Sequence, residues 1–186
     1  RQRPFMKILY LGPPETVTHV SGNLAPHVVV HALTQHDVDR HLNDTNVILD
    51  AYMRIRFSRE TLAQADQLSL FVAASTGIDH ISDATLEARG IPLFSLRERH
   101  ELLRGLTPAA EHSWLLLMAC ARGLLRATES VKQGEWNRND HPGVMLKGKQ
   151  LGIVGCGRIG QWMARYASAF DMAVVGNDPF LTTWPD

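Results

Sequence analysis

The chain has 186 residues, enough for one large or two small domains, and 45% of them are hydrophobic, enough to bury a core. Nineteen Lys and Arg balance nineteen Asp and Glu, which argues against a polyanion-binding surface or an acidic tail and hence against nucleic acid as a partner. The two cysteines, Cys120 and Cys156, lack metal-type spacing and are too few for a disulfide framework, which fits a reducing cytoplasm, and no apolar run reaches the length of a membrane span.

The opening RQRPFMKILYLG has no apolar signal core followed by a cleavage site, and Met6 reads as a natural start with residues 1–5 as an extension. Five short runs rich in Val, Ile, Leu and Phe follow, at 7–12, 27–33, 46–52, 68–74 and 91–96, and they read as buried strands. Helix patterns lie between them over 37–42, over 58–65 with Ser58 as N-cap, and over 82–89 ended by Gly90. Strand alternating with helix predicts an α/β fold, a parallel doubly wound sheet of flavodoxin-like kind, for the first hundred residues. His27 and His31 stand four apart, but the valines between them indicate a strand, on which they would lie about 13 Å apart, too far to share a metal. Arg54 and Arg56 follow the third run, at the edge where open α/β sheets bind ligands. Their guanidinium groups suit a carboxylate or phosphate there; solvated loop charge is the competing reading. His80 is expected to pack at the start of its helix.

The charged stretch 97–104 reads as a solvated connection, with a domain boundary near 103–107 that gives segments 6–104 and 105–186. Thr107 as N-cap, Pro108 at the first helical position and Glu111 in the first turn begin a helix that runs to about Leu125. Apolar residues at Trp114, Leu115, Leu117, Met118, Ala121 and Leu125 predict that it is buried on most sides. A second helix is expected over 127–136, and Trp114, Trp136 and Trp162 are read as core or interface residues on helices.

The stretch LGIVGCGRIGQWMARYASAFDMAVVGNDPF then runs strand, glycine turn, helix, strand and acid, the order of a dinucleotide-binding fingerprint. Gly155 permits the tight turn, Gly157 lets backbone approach a pyrophosphate, and Gly160 lets the helix pack on the sheet, while the helix N-terminus offers free N–H groups to phosphate. Asp178, eighteen residues after Gly160, closes the second strand, where a carboxylate accepts ribose hydroxyls and repels a 2′-phosphate. NAD is therefore expected rather than NADP.

Four stretches together resemble the NAD-dependent D-isomer-specific 2-hydroxyacid dehydrogenases: STGIDHISDATLEARGIPL at 75–93, TPAAEHSWLLLMACAR at 107–122, GEW at 134–136 and LKGKQLGIVGCGRIG at 146–160. The resemblance spans roughly residues 45–180. It implies a substrate-binding domain whose first segment is 6–104, followed by the first part of a Rossmann NAD-binding domain at 105–186. It also implies roles residue by residue. Thr76 and Gly77 match the turn whose N–H groups bind the substrate carboxylate. Arg158 and Ile159 match positions whose amides meet the pyrophosphate, Asp178 matches the ribose-binding acid, and Ser113 matches a small hydroxyl near the nicotinamide. For Ser113, a hydroxyl bonded back to a carbonyl one helical turn earlier is the alternative.

In this family a catalytic His, a Glu that raises its basicity and an Arg that holds the substrate lie beyond the ribose-binding acid, so no residue of this chain, including its nine His, takes those roles. The resemblance implies hydride transfer between NAD and a small D-2-hydroxy or 2-oxo acid in the complete enzyme, a cytoplasmic homodimer joined through the cofactor domain, and a 186-residue chain that is inactive by itself. The alternatives are a non-catalytic half-fold that senses NAD or another adenine nucleotide, and an inactive truncated product.

Overall fold

In the computed structural model, which describes residues 5–183, the chain divides into two units between Leu103 and Arg104. The first unit alternates β1 (Lys7–Leu11), α1 (Val17–Asn23), β2 (Val28–His31), α2 (Gln35–His41), β3 (Val47–Asp50), α3 (Arg59–Ala63), β4 (Leu70–Ala73), α4 (Asp83–Ala88) and β5 (Leu93–Ser95). All five strands pair in parallel, in the order β2-β1-β3-β4-β5. This is the flavodoxin-like arrangement, and the strand order reverses between β1 and β3, the kind of place where open α/β sheets bind ligands beyond their strand C-termini.

The sheet forms because its strands carry apolar side chains in unbroken runs, as parallel strands covered on both faces do. Leu9, Ile48, Phe71, Leu42, Leu62 and Leu86 are fully buried together, and Phe57 meets Phe71 edge to face at 5.0 Å. Helix starts are set by local chemistry. Thr34 and Asp37 form a capping box on α2, and the Thr34 hydrogen bond holds the Asp37 carboxyl below its usual range. The Ser58 hydroxyl accepts from Thr61 N at 3.2 Å at the start of α3.

Several expectations are corrected here. Helix α1 was not legible in VTHVSGN, where Gly22 and β-branched residues weaken the helical pattern; it follows directly on a proline-started turn at Pro14–Thr16. The charged stretch 97–104 is not merely a solvated connection, since His100–Arg104 forms a short helix, α5, that buries Leu103.

The second unit contains α6 (Pro108–Arg122), α7 (Leu124–Lys132), β6 (Gln150–Val154), α8 (Arg158–Ala169) and β7 (Ala173–Asn177), with β6 and β7 paired in parallel. α6 lies on α8 through an aromatic cluster, Trp114 standing 5.0 Å from Phe170 and 5.8 Å from Tyr166, with Trp162 at 6.0 Å from Tyr166. The helix read as continuing to Leu125 ends at Arg122, because Gly123 takes the left-handed conformation (φ 58) that stops a helix. The following helix therefore runs over Leu124–Lys132 instead of 127–136, and Trp136 lies beyond it, 90% exposed, neither helical nor core.

Two further corrections concern α6. It is not buried on most sides: Ala110 is its one buried residue, and Leu115 and Leu116 are 57% and 52% exposed, while its aromatic side packs on α8. Thr107 makes no side-chain cap; its hydroxyl donates instead to the Glu111 carboxylate. Among the described residues no helix is long and apolar enough to cross a membrane, and both cysteines are free thiols.

Candidate functional site

The turn between β6 and α8 is built by three glycines for three different reasons. Gly155 stands at φ +88, a conformation that side chains other than glycine's rarely adopt, and its N–H donates to Asn177 O at 2.8 Å, closing the end of the strand pair. A Cβ on Gly160 would overlap the Gly155 carbonyl oxygen and crowd Ile153 Cγ2 at 3.1 Å, so the helix can sit this close to the strand only without a side chain. Gly157 differs: its backbone is extended (φ −72, ψ −161) and a Cβ there would meet nothing within 4 Å. No fold-internal reason requires glycine at 157. The absent side chain leaves the backbone here open to close approach from outside.

The N–H groups of Gly157, Arg158, Ile159 and Gly160 make no hydrogen bond among the described residues, the first intrahelical bond being Gln161 N to Gly157 O at 2.9 Å. They form the open first turn of a twelve-residue helix, which suits an anion. Asp178 lies beside them. Its Oδ2 accepts from Cys156 N at 2.8 Å and its Oδ1 from Phe180 N at 2.9 Å, so the acid after β7 also holds the glycine turn in shape, while each oxygen keeps a free lone pair. Sequence reasoning missed this second role, because the bond joins residues 22 apart. The Arg158 side chain donates to Leu106 O at 2.6 Å. Ser113 on α6 donates its hydroxyl back to Ala109 O at 2.8 Å, the local bond weighed as its alternative.

Gly160→Ala is expected to destabilise the second unit by about 1–3 kcal/mol, the usual cost of forcing extra volume into a packed contact. Chemical denaturation followed by tryptophan fluorescence reads it, since three of the four tryptophans (Trp114, Trp136, Trp162) lie in the described part of that unit. A midpoint equal to wild type would mean that the helix has room to move away.

In the first unit, the turns after β3 and β4 meet at the strand C-terminal edge. Thr76 and Gly77 follow β4, and their N–H groups make no hydrogen bond among the described residues. The Ser75 hydroxyl donates to Gly77 O at 2.7 Å, fixing the turn that presents them. Consecutive unpaired backbone donors on a short turn are an anion-binding arrangement. Met53 Cε lies 3.5 Å from where a Gly77 Cβ would be, so the β3 turn packs against the β4 turn. Arg54, on the β3 turn, is exposed and stacks over the Tyr52 ring at 4.2 Å.

Beneath these turns lies a fully buried carboxylate. Asp50 Oδ1 accepts from Tyr52 N at 2.9 Å and Met53 N at 3.0 Å, and Asp50 Oδ2 meets His80 Nε2 at 2.8 Å. His80 does not simply pack at the start of its helix, which begins at Asp83; it binds Asp50. The signal for this pair was in the sequence, an acid ending an apolar strand, since a buried carboxylate needs donors. His27 and His31 have other partners: His27 Nδ1 accepts from Met6 N at 3.3 Å, and His31 Nε2 lies 2.9 Å from Gly12 O. Among the described residues no group of His, Cys, Asp or Glu could hold a metal ion.

The family model for the NAD binding domain of D-isomer specific 2-hydroxyacid dehydrogenases matches residues 114–184. A D-3-phosphoglycerate dehydrogenase of Methanocaldococcus jannaschii is 31% identical over 153 residues, 82% of this chain and 28% of that protein. Its counterpart in Archaeoglobus fulgidus is 27% identical over 179 residues, 95% of this chain and 33% of that protein. An NAD-dependent formate dehydrogenase from Staphylococcus aureus, solved in complex with NAD, is 26% identical with a TM-score of 0.76, covering 94% of this chain and 57% of that one. A D-lactate dehydrogenase from Aquifex aeolicus, complexed with NAD and lactic acid, shares the fold at 22% identity and a TM-score of 0.82, covering 94% of this chain and 52% of that one. The chain thus spans about a third of the length of these curated relatives and about half of these solved structures.

Proposed function

Because the chain belongs to the D-isomer-specific 2-hydroxyacid dehydrogenase family, we propose that the complete protein is an NAD-dependent oxidoreductase interconverting a D-2-hydroxy acid and its 2-oxo acid. The observation that carries this reading is the β6–α8 turn, with four unpaired N–H groups, a Gly157 whose missing Cβ leaves open space, and Asp178 alongside. These residues fit a dinucleotide. The nicotinamide supplies the hydride chemistry when bound.

The chain's own residues supply binding and orientation. The N–H groups of Arg158 and Ile159, with those of Gly157 and Gly160, receive the pyrophosphate, and the helix dipole favours its charge. Asp178 accepts the adenosine ribose hydroxyls on its remaining lone pairs, and its charge repels a 2′-phosphate. Ser113 keeps its hydroxyl oxygen available as an acceptor on the nicotinamide side. In the first unit, which we assign to the substrate, the N–H groups of Thr76 and Gly77 bind the carboxylate, and Arg54 adds an exposed cation at the same sheet edge. None of the nine His residues is assigned the proton transfer that accompanies hydride transfer. The exposed Leu115 and Leu116 on α6 support a homodimer formed through the cofactor-side unit, and two free thiols support a cytoplasmic protein.

Asp178→Ala tests the cofactor assignment. It should weaken NAD and narrow the discrimination against NADP by about 1–3 kcal/mol, through loss of a ribose acceptor and of a charge that repels phosphate. Because Asp178 also holds Cys156 N, the turn loosens for both cofactors, so the ratio of the two affinities is the quantity to measure. Fluorescence titration of wild type and variant with both reduced cofactors gives it. An unchanged ratio would reduce Asp178 to a structural clasp of the turn.

A further inference from the structure

We propose that Asp50 and His80 are a positioning pair for the substrate-carboxylate turn, locking the β3 and β4 turns into the register that lets Thr76 and Gly77 donate to one anion; this rests on the dehydrogenase reading above. The pair joins residues thirty apart in sequence. Asp50 is fully buried and accepts three hydrogen bonds: two N–H groups of its own turn, Tyr52 and Met53, and the ring of His80 from the turn after β4. An acceptor-only carboxylate already receiving two backbone donors makes His80 Nε2 the donor of the third. The backbone repeats the link, Asp50 O accepting from Ala74 N at 2.7 Å, and Phe57 N donating to His80 O at 2.7 Å.

The arrangement costs stability locally, which points away from a purely structural purpose. Met53 stands at φ 55, a left-handed conformation costing about 1 kcal/mol or more outside glycine, and the Asp50 bond to its N–H holds it there. His80 Nδ1 is buried without a hydrogen-bond partner among the described residues. A hydrophobic pair would spare the unpartnered imidazole nitrogen but would strip Tyr52 N and Met53 N of their acceptor. What the Asp–His pair adds is direction: Asp50 fixes the turn that carries Met53 against Gly77 and Arg54 beside it, and His80 fixes the turn that carries the two free N–H donors three and four residues earlier. Neither side chain touches the substrate; both act through the turns they hold.

The test compares His80→Gln with His80→Asn in the complete protein. Glutamine places an N–H donor where Nε2 stands, whereas asparagine is polar but too short to reach Asp50. The readouts are KM and kcat for a short 2-oxo acid with NADH, the NADH dissociation constant, and the affinity for oxalate, an unreactive carboxylate probe. His80→Asn should raise KM and weaken oxalate by about tenfold, the scale of one lost hydrogen bond to a charged group. NADH binding should stay within about twofold and kcat within about threefold, and His80→Gln should restore KM and oxalate to near wild type. A merely structural role would lower the melting temperature of both variants and leave KM untouched in the folded protein, and that result overturns the proposal. Turnover whose KM ignores His80→Asn overturns the pairing and spares the dehydrogenase. Oxalate binding that His80→Asn abolishes, in a protein without turnover, spares the pairing and sinks the dehydrogenase. A folded wild type with neither property sinks both.

Discussion

Gly157→Val is expected to leave the second unit folded and to lower NAD affinity by about a hundredfold, near 3 kcal/mol. The residue's extended backbone accepts a side chain, and a Cβ would meet nothing within 4 Å, so folding has no objection to valine. The objection comes from the ligand. A branched side chain over the open turn would hold a pyrophosphate away from the N–H groups of Gly157 to Gly160, and each hydrogen bond to a charged group is worth about 1.5–3 kcal/mol. The neighbouring glycines behave otherwise: Gly155 at φ +88 and Gly160 against the Gly155 carbonyl should fail first in stability. Fluorescence titration with NADH, beside circular dichroism and thermal melting, separates the two kinds of loss. A Gly157→Val protein with wild-type NADH affinity would mean that the pyrophosphate sits elsewhere.

In a chain of these 186 residues alone, the amides of β6 and β7 should exchange at least about a thousandfold faster than those of β1, β3 and β4, a gap of roughly 4 kcal/mol in opening free energy. The central strands of the first unit carry side chains of zero exposure, among them Leu9, Ile48 and Phe71. The second unit has a two-stranded sheet, which is marginal by itself, and leaves Val154 90% and Val175 52% exposed on it. α6 likewise shows Leu115 and Leu116 to solvent. Such surface gains protection only when something covers it, whether more chain or a second copy. Hydrogen exchange read by mass spectrometry, with the oligomeric state measured in parallel, decides the point. Equal protection of both units in a monomer would contradict this view of the second unit.

The architecture was legible because its signals are local. Parallel strands buried on both faces announce themselves as apolar runs, and all five runs of the first unit became strands of one sheet. The glycine turn was legible because the spacing of Gly155, Gly157 and Gly160 reflects backbone needs that few other residues meet. What escaped depends on partners distant in sequence or on single residues. The Asp50–His80 pair spans thirty residues, and Asp50 sat inside a run read for its hydrophobicity. Gly123 was overlooked as a stop because the apolar pattern continues through Leu124 and Leu125. The burial of α6 was overstated because an apolar helix records what it can bury, not what covers it: Trp114 packs on α8, whereas Leu115 and Leu116 stay exposed. Thr107 shows a related limit: its composition suits a cap, yet its hydroxyl chose the Glu111 side chain.

NADH oxidation by the complete protein, followed with a panel of short 2-oxo acids such as hydroxypyruvate and glyoxylate, reads the proposed NAD-dependent 2-hydroxyacid dehydrogenase activity at its source. NADH-linked turnover of at least one of them is expected, with the reverse reaction drawing on the D-hydroxy acid and not its L isomer. A folded protein that binds NADH and turns over none of the panel would contradict it.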